Sequence, residues 1–339
     1  MLAMNAVRRI RPSYAPPGEG ATARGIARAI RSGGLRSEAA GATLEAQREV
    51  EAPPRLEAAT AVEGLAMTAR LVPGEPVVGI AAFLDGIQRS RVLAHHAGVP
   101  LVHGAVAAAI RQRDARRLSV WSTPLRSHAL YLPVALMDAA LVDALRDSCA
   151  VVDSLADHDS SMPMPRHPTD LAARALTAVQ RERERSEHAL SLDWTAERSE
   201  PLLMDGGIAG REEVARSRHV VGAVKSHRTL YVVGDAMDVI LNLREGERST
   251  AIALSSPRRT AVATWYLRLR DAGARGPFFG LLRVEVALES GEDITARADL
   301  VSRWLLAERA PIALPDARWD VMVYGIRECE QYLTAILNA

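Results

Sequence analysis

The sequence predicts an α/β protein, on three observations. Two apolar runs end in Asp-Gly: Val77 to Leu84 before Asp85-Gly86, and Leu202-Leu203-Met204 before Asp205-Gly206-Gly207. Runs of this kind read as strands buried on both faces, with the glycines allowing a sharp turn just after the acid. From about Leu71 onward, further short apolar runs at Leu118 to Trp121, Leu130 to Met137 and Val220 to Lys225 are spaced by turns and helical stretches. Finally, one long helical pattern, Thr169 to Thr195, separates the two Asp-Gly motifs. Strands intermixed with helices build a sheet with helices on its faces.

The elements follow in order. Residues 1 to about 70 are rich in Ala, Arg, Gly and Pro, carry Pro-Pro pairs at 16 and 53, and lack strand-like runs. They read as an N-terminal arm with one helix around Ser37 to Val50, serving either to dock a partner or second subunit or as a poorly ordered leader. Residues 71–339 form the main domain. Within it, Val152 to Pro168 is loop-like, and His158 between Asp157 and Asp159 is either a metal-binding group or part of a solvated loop. The long helix opens on a Thr169-Asp170 cap signal and carries an apolar stripe of Leu176, Val179, Leu190 and Trp194. At about 100° per residue, Glu187 falls about 20° from Leu176, whereas Glu184 lies near 80° and Glu182 near 240°. Glu187 is therefore an acid on the buried stripe, either neutralised by Arg183 on the same stripe or held there for function.

Two later strands alternate cleanly. In Ala261 to Arg270, Trp265, Leu267 and Leu269 share one face, and Tyr266, Arg268 and Arg270 the other. In Leu281 to Leu288, Arg283 and Glu285 oppose Leu282, Val284 and Val286. Paired, the strands would display Tyr266, Arg268, Arg270 and Arg283 together. That face suits a phosphate backbone, with Tyr266 stacking on a base; the plain alternative is an ordinary solvated sheet face. The chain ends in helical segments at Thr295 to Ala307 and Tyr324 to Leu337.

Bulk properties narrow the function classes. At 339 residues the chain can bury a large core, and no stretch approaches the roughly 20 apolar residues that a membrane helix needs. Arg8, Arg9 and Arg11 are followed by no secretory apolar segment before Pro16-Pro17. Cys149 and Cys329, far apart, offer neither a zinc knuckle nor a disulfide framework, so a reducing, cytoplasmic setting is expected. The formal charge of +1 announces no partner, although most of the 42 basic residues are Arg, the better fork for phosphate oxygens. There is no phosphate-binding Gly-x-x-x-x-Gly-Lys-Ser/Thr loop, dinucleotide fingerprint, His-Glu-x-x-His or Gly-x-Ser-x-Gly. His95-His96, His103 and His128 lack metal-ligand spacing. What remains is the pair Asp85 and Asp205. Brought side by side at strand ends, two acids repel and raise one pKa unless a divalent cation lies between them, which suggests a metal-dependent phosphodiesterase.

Taken in order, Phe83-Leu84-Asp85-Gly86, the Arg183 to Glu187 helix, Leu203-Met204-Asp205-Gly206-Gly207, Val221-Gly222-Ala223-Val224-Lys225-Ser226 and Tyr266-Leu267-Arg268-Leu269 resemble the NurA nuclease family from Val77 to the C-terminus. The resemblance implies an RNase H-like fold, a mixed sheet flanked by helices with an N-terminal arm and insertions. It further implies Mn²⁺ (or Mg²⁺)-dependent cleavage of DNA and a homodimer. The implied partner is a hexameric HerA-type DNA-translocating ATPase, in end processing or phage defence. It makes Asp85, Glu187 and Asp205 the catalytic and metal-binding acids, and Lys225 the group that neutralises the phosphate in the transition state. Two departures stand out: Ile87 replaces the family's Ser after Asp-Gly, and no histidine lies around Tyr324 to Glu330, where relatives carry a further metal ligand. Glu328 or Glu330 is the expected substitute, with Glu328 taken as the metal ligand and His227 a further candidate. The main rival reading is a nuclease-like scaffold that binds DNA or the ATPase without cutting. A third is a metal-free carboxylate-pair hydrolase acting on sugars.

Overall fold

In the computed structural model, which describes residues 12–35, 44, 54–256, 259–309 and 323–338, the chain starts with helix α1 (Ala23–Ser32) and short strands β1 (Arg55–Leu56), β2 (Thr60–Ala61) and β3 (Ala69–Leu71). Two long strands follow, β4 (Ala82–His96) and β5 (Val99–Asp114), then β6 (Arg117–Val120) and β7 (Leu125–Leu132). Helix α2 (Ala139–Arg146) and strand β8 (Val151–Asp153) lead into the longest helix, α3 (Pro168–Glu197). Next come β9 (Leu202–Asp205), α4 (Glu212–Ala215), β10 (Val220–Val224), β11 (Thr229–Leu230) and α5 (Ala236–Leu241). Strands β12 (Glu247–Ser249), β13 (Ile252–Ser256), β14 (Arg259–Arg268) and β15 (Leu281–Ala287) complete the sheet. Helices α6 (Ile294–Glu308) and α7 (Tyr324–Asn338) close the chain.

The result is a large mixed sheet flanked by helices, in the order β2-β13-β14-β15-β10-β9-β4-β5-β7-β8. At its centre β4, β9 and β10 run parallel, while β4, β5 and β7 form an antiparallel set. β4 and β5 are joined by Ala97-Gly98, with φ of 48° and 82°, the doubly positive pair that a two-residue hairpin turn needs. Alternation divides the core. Phe83, Leu203, Val221, Trp265 and Val284 pack toward α6 and α7, whereas Ala82, Leu84, Leu202 and Met204 pack toward Leu190 and Trp194 of α3.

Several expectations change. The first strand does not start at Val77: Val77 and Val78 are exposed, and β4 begins at Ala82 and runs straight through Asp85-Gly86. Gly86 thus makes no turn; its missing side chain is needed because a carbon there would lie 2.5 Å from Glu187 Oε1. α3 starts one residue before the expected cap, with Pro168 in its first turn and His167 Nδ1 accepting from the Thr169 N–H. Residues 1–70 are not free of strands, since β2 pairs with β13 and β3 with β12, and Ile26 and Ile30 of α1 are fully buried against Leu101 and Leu130. The helix expected around Ser37 to Val50 lies, apart from Leu44, outside the described residues. Among the described residues no helix is long and apolar enough to cross a membrane.

Candidate metal centre

Strand register builds the site. β4 and β9 pair Phe83 with Leu203 and Leu84 with Met204, so Asp85 and Asp205 follow side by side. β9 and β10 pair Asp205 with Ala223, and Lys225, two residues on, shares that face. From above, α7 brings Glu330. It packs closely because Gly325 lies flat on Phe83, whose ring any β-carbon at 325 would overlap. One carboxylate oxygen from each of Asp85, Asp205 and Glu330 lies within 4.8 Å of the others. The turn after β9 is set from below by buried Glu285, whose Oε2 accepts from the N–H groups of Ile208 (2.6 Å) and Ala209 (3.1 Å).

The electrostatics are unbalanced. Asp85 is only 4 % exposed; its Oδ1 accepts from the Gly86 N–H at 2.7 Å, but its Oδ2 is buried with no partner. Burial, then the negative charges of Asp205 and Glu187, push its pKa up to about 8. Burial also raises Asp205, against the pull of Lys225, whose Nζ lies 3.0 Å from Asp205 Oδ1 and 3.7 Å from Glu330 Oε1. Lys225 is itself raised: burial works against its charged form, but Asp205 and Glu330 outweigh it. Three carboxylates meet Lys225 and, at the rim, Arg327 3.5 Å from Glu330 Oε2; with an orphaned carboxylate oxygen among them, they are an all-oxygen donor set that can hold a metal ion.

The predicted residues divide cleanly. Asp85, Asp205 and Lys225 meet; Glu187 and Glu328 do not join them. Glu187 is buried on the α3 side of β4, bridged by Arg183 and Arg211. Glu328 is exposed, and Glu330 takes the position instead. The signal for that was present: on the α7 wheel Glu330 lies about 40° from buried Ile326, and Glu328 about 200°. His227 sits elsewhere, its Nε2 2.9 Å from the Leu281 carbonyl and its ring stacked on Phe278. Glu182, which the helical wheel put off the buried stripe, is buried too and accepts from the Tyr14 hydroxyl at 2.8 Å.

The face expected to grip nucleic acid is covered. Tyr266 and Arg268 are fully buried and Arg283 nearly so, beneath Leu230, Val232, Ile240 and Leu243 of the segment after β10. The Tyr266 hydroxyl accepts from the Tyr231 N–H, Arg268 donates to four main-chain carbonyls, Arg270 to the Arg309 carbonyl, and Arg283 pairs with Glu285. These groups hold the sheet to its cover. The open surface is a groove of about 1150 Å³ beside the acids, of mixed charge, with Arg183, Arg211 and Lys225 set among Glu184, Asp205 and Glu213 in its walls. No protein-family model matches the chain, and no curated protein matches it.

Proposed function

We propose that this protein is a divalent-metal-dependent phosphodiester hydrolase acting on DNA, with Asp85, Asp205 and Glu330 as the metal ligands. The carrying observation is the cluster of Asp85, Asp205 and Glu330, one oxygen of each within 4.8 Å of the others, in which buried Asp85 also has an oxygen without a partner. A cation there would relieve their repulsion and supply the missing partner. Mn²⁺ or Mg²⁺ suits an all-oxygen set, and when bound it activates a water and stabilises the departing oxygen. Lys225 balances the phosphate's charge and holds Asp205 in place. The burial of Asp85 keeps bulk water from competing at the ligand oxygens.

The order β7-β5-β4-β9-β10, three antiparallel strands followed across α3 by two parallel ones, supports an RNase H-like reading of the central sheet. Resemblance to NurA nucleases supports DNA as substrate, a homodimer and a HerA-type ATPase as partner.

End-labelled linear and single-stranded DNA, incubated with the full chain and Mn²⁺, Mg²⁺ or EDTA, tests the proposal. Cleavage should require the metal and be lost in Asp85→Asn; undiminished cleavage by that variant overturns it. A second reading rests on Lys225, which already neutralises part of the cluster: a scaffold subunit whose acids form an ion-pair network. Only the metal-binding reading expects the melting temperature to rise with Mn²⁺ concentration.

A further inference from the structure

Glu187 is 2 % exposed, and each of its oxygens is already taken. Arg183 Nη1 lies 2.5 Å from Oε1, and Arg211 Nη2 2.6 Å from Oε2. A dication on the same carboxylate would sit within a few ångströms of two guanidinium charges, an arrangement that Coulomb repulsion opposes in a partly buried site. The two arginines, in contrast, remain under-used. Glu187 offsets one of their two charges, and the only other carboxylate paired with them among the described residues, the partly exposed Glu184, lies 3.9 Å from Arg183 Nη2 and leaves Arg211 untouched. Arg183 is a quarter exposed and is steered by a second bond, from Nε to Gln88 Oε1 at 3.1 Å. Arg211 is 16 % exposed, and its Nη1 is buried with no acceptor. Both line the open groove whose wall also carries Asp205 and Lys225, and Arg183 further borders the recess that holds Asp85 and Glu330.

We infer that Glu187 is a positioning residue, the anchor of a two-arginine fork in which Arg183 and Arg211 bind a backbone phosphate of the DNA strand next to the metal centre. The inference rests on the phosphodiesterase reading and deepens it. A phosphodiester monoanion suits the guanidinium donors that Glu187 leaves unused, Arg211 Nη1 first among them, and its paired oxygens match their planar geometry. Glu187 fixes both groups before the strand arrives, so little side-chain freedom is lost on binding. The narrow fit over Gly86, which leaves no space for a side chain between β4 and Glu187, holds the fork in register with Asp85 one residue away.

The test compares the full-length wild type with Glu187→Gln, Arg211→Met, Arg211→Lys and Asp85→Asn. Circular dichroism and melting in EDTA serve as fold controls. Three quantities are read: the Mn²⁺-induced rise in melting temperature, affinity for a fluorescent oligonucleotide in EDTA across a salt series, and kcat and KM for cleavage. Arg211→Met should keep the Mn²⁺ response, lose about tenfold in DNA affinity and reduce the salt slope by about one, raising KM more than it lowers kcat. Arg211→Lys should restore the slope but not the affinity, since an ammonium is a point charge. Glu187→Gln should keep the Mn²⁺ response while weakening DNA binding. If it loses that response as Asp85→Asn does, Glu187 is a metal ligand and the inference is overturned. Unchanged DNA affinity in Arg211→Met overturns it as well. Competition by inorganic phosphate as strong as that by DNA would assign the fork to free phosphate and would likewise count against it. A wild type with neither Mn²⁺ response nor cleavage sinks the metal reading alone, because DNA affinity in EDTA still reports on the fork.

Discussion

Two regions of the sheet bury charge, and they do it in opposite ways. Around β12 and β14, Arg248 has no exposed surface and spends its guanidinium on both oxygens of Glu63, on Asp299 and on the Ser249 carbonyl. Arg268, equally buried, donates to the carbonyls of Leu241, Leu243, Pro277 and Phe279. At the centre of the sheet, Asp85 keeps an oxygen without a partner, close to two more acids. A charge whose every hydrogen-bonding atom is matched is a fixture of the fold. A buried one left unmatched destabilises the chain unless something else supplies the missing partner. The proposed metal centre rests on that contrast: Arg248 needs nothing further, whereas Asp85 has an oxygen still to be matched, among two more acids.

The largest effect should come from the matched region. Arg248→Met leaves buried Glu63 with only Arg70 and the Ala251 N–H and takes the guanidinium from the partly buried Asp299, and the expected cost is about 3 kcal/mol in denaturant unfolding. The rise in melting temperature with Mn²⁺ that the proposed metal centre predicts should survive in whatever protein folds. A cost near zero would erase the contrast. Next comes Gly325→Ala, whose new carbon overlaps the Phe83 ring and must push α7 outward. About 1–3 kcal/mol should be lost, and because Glu330 rides on α7, the Mn²⁺ response should weaken with it.

The regions should also titrate with opposite signs. Burial alone would raise the Glu63 carboxyl, but Arg248 and the Ala251 N–H outweigh it and hold it below its ordinary 4.5. Its contribution to stability is therefore present at neutral pH and is lost as pH falls through that lowered value. Asp85 behaves the other way. The native state keeps its proton up to about pH 8, whereas the unfolded chain loses it near 3.8. Between those values the native state binds more protons, so metal-free stability falls as pH rises. Asp85→Asn removes that slope: without metal, the variant should melt a few degrees above wild type at pH 9 and close to it at pH 4. A variant that melts lower than wild type at pH 9 would show that the Asp85 carboxylate is stabilising and break the comparison.

What the sequence reveals follows the same physics. Asp85, Asp205 and Lys225 were legible because they follow short apolar runs, and period-two alternation puts them on one face. The length of β4 was not legible: Gly86 read as a turn just after the acid, yet Gln88, Arg89, Ser90 and Arg91 continue the strand because β5 pairs with it along its whole length. Alternation in β14 and β15 identified two faces but not which was covered, since the cover is a separate stretch of chain, around β11 and α5. The α3 wheel revealed that Glu187 is buried. That Arg211, 24 residues later, neutralises it depends on how the loop after β9 folds back.

The smallest expected effect bears on α7, where sequence alone left Glu328 and Glu330 as alternatives. The stripe Ile326, Cys329, Leu333 and Leu337 faces the sheet, with Glu330 on its border and Glu328 on the opposite side. Glu330 also lies 3.7 Å from Lys225, so its loss leaves that ammonium with Asp205 alone. Glu328→Gln should change neither the melting temperature nor its rise with Mn²⁺. Glu330→Gln should leave the metal-free protein folded and reduce that rise, because the amide keeps the shape of the carboxylate while losing its charge. If the two variants respond equally, Glu330 supplies no ligand, and the centre is a two-acid site whose remaining coordination comes from water or substrate.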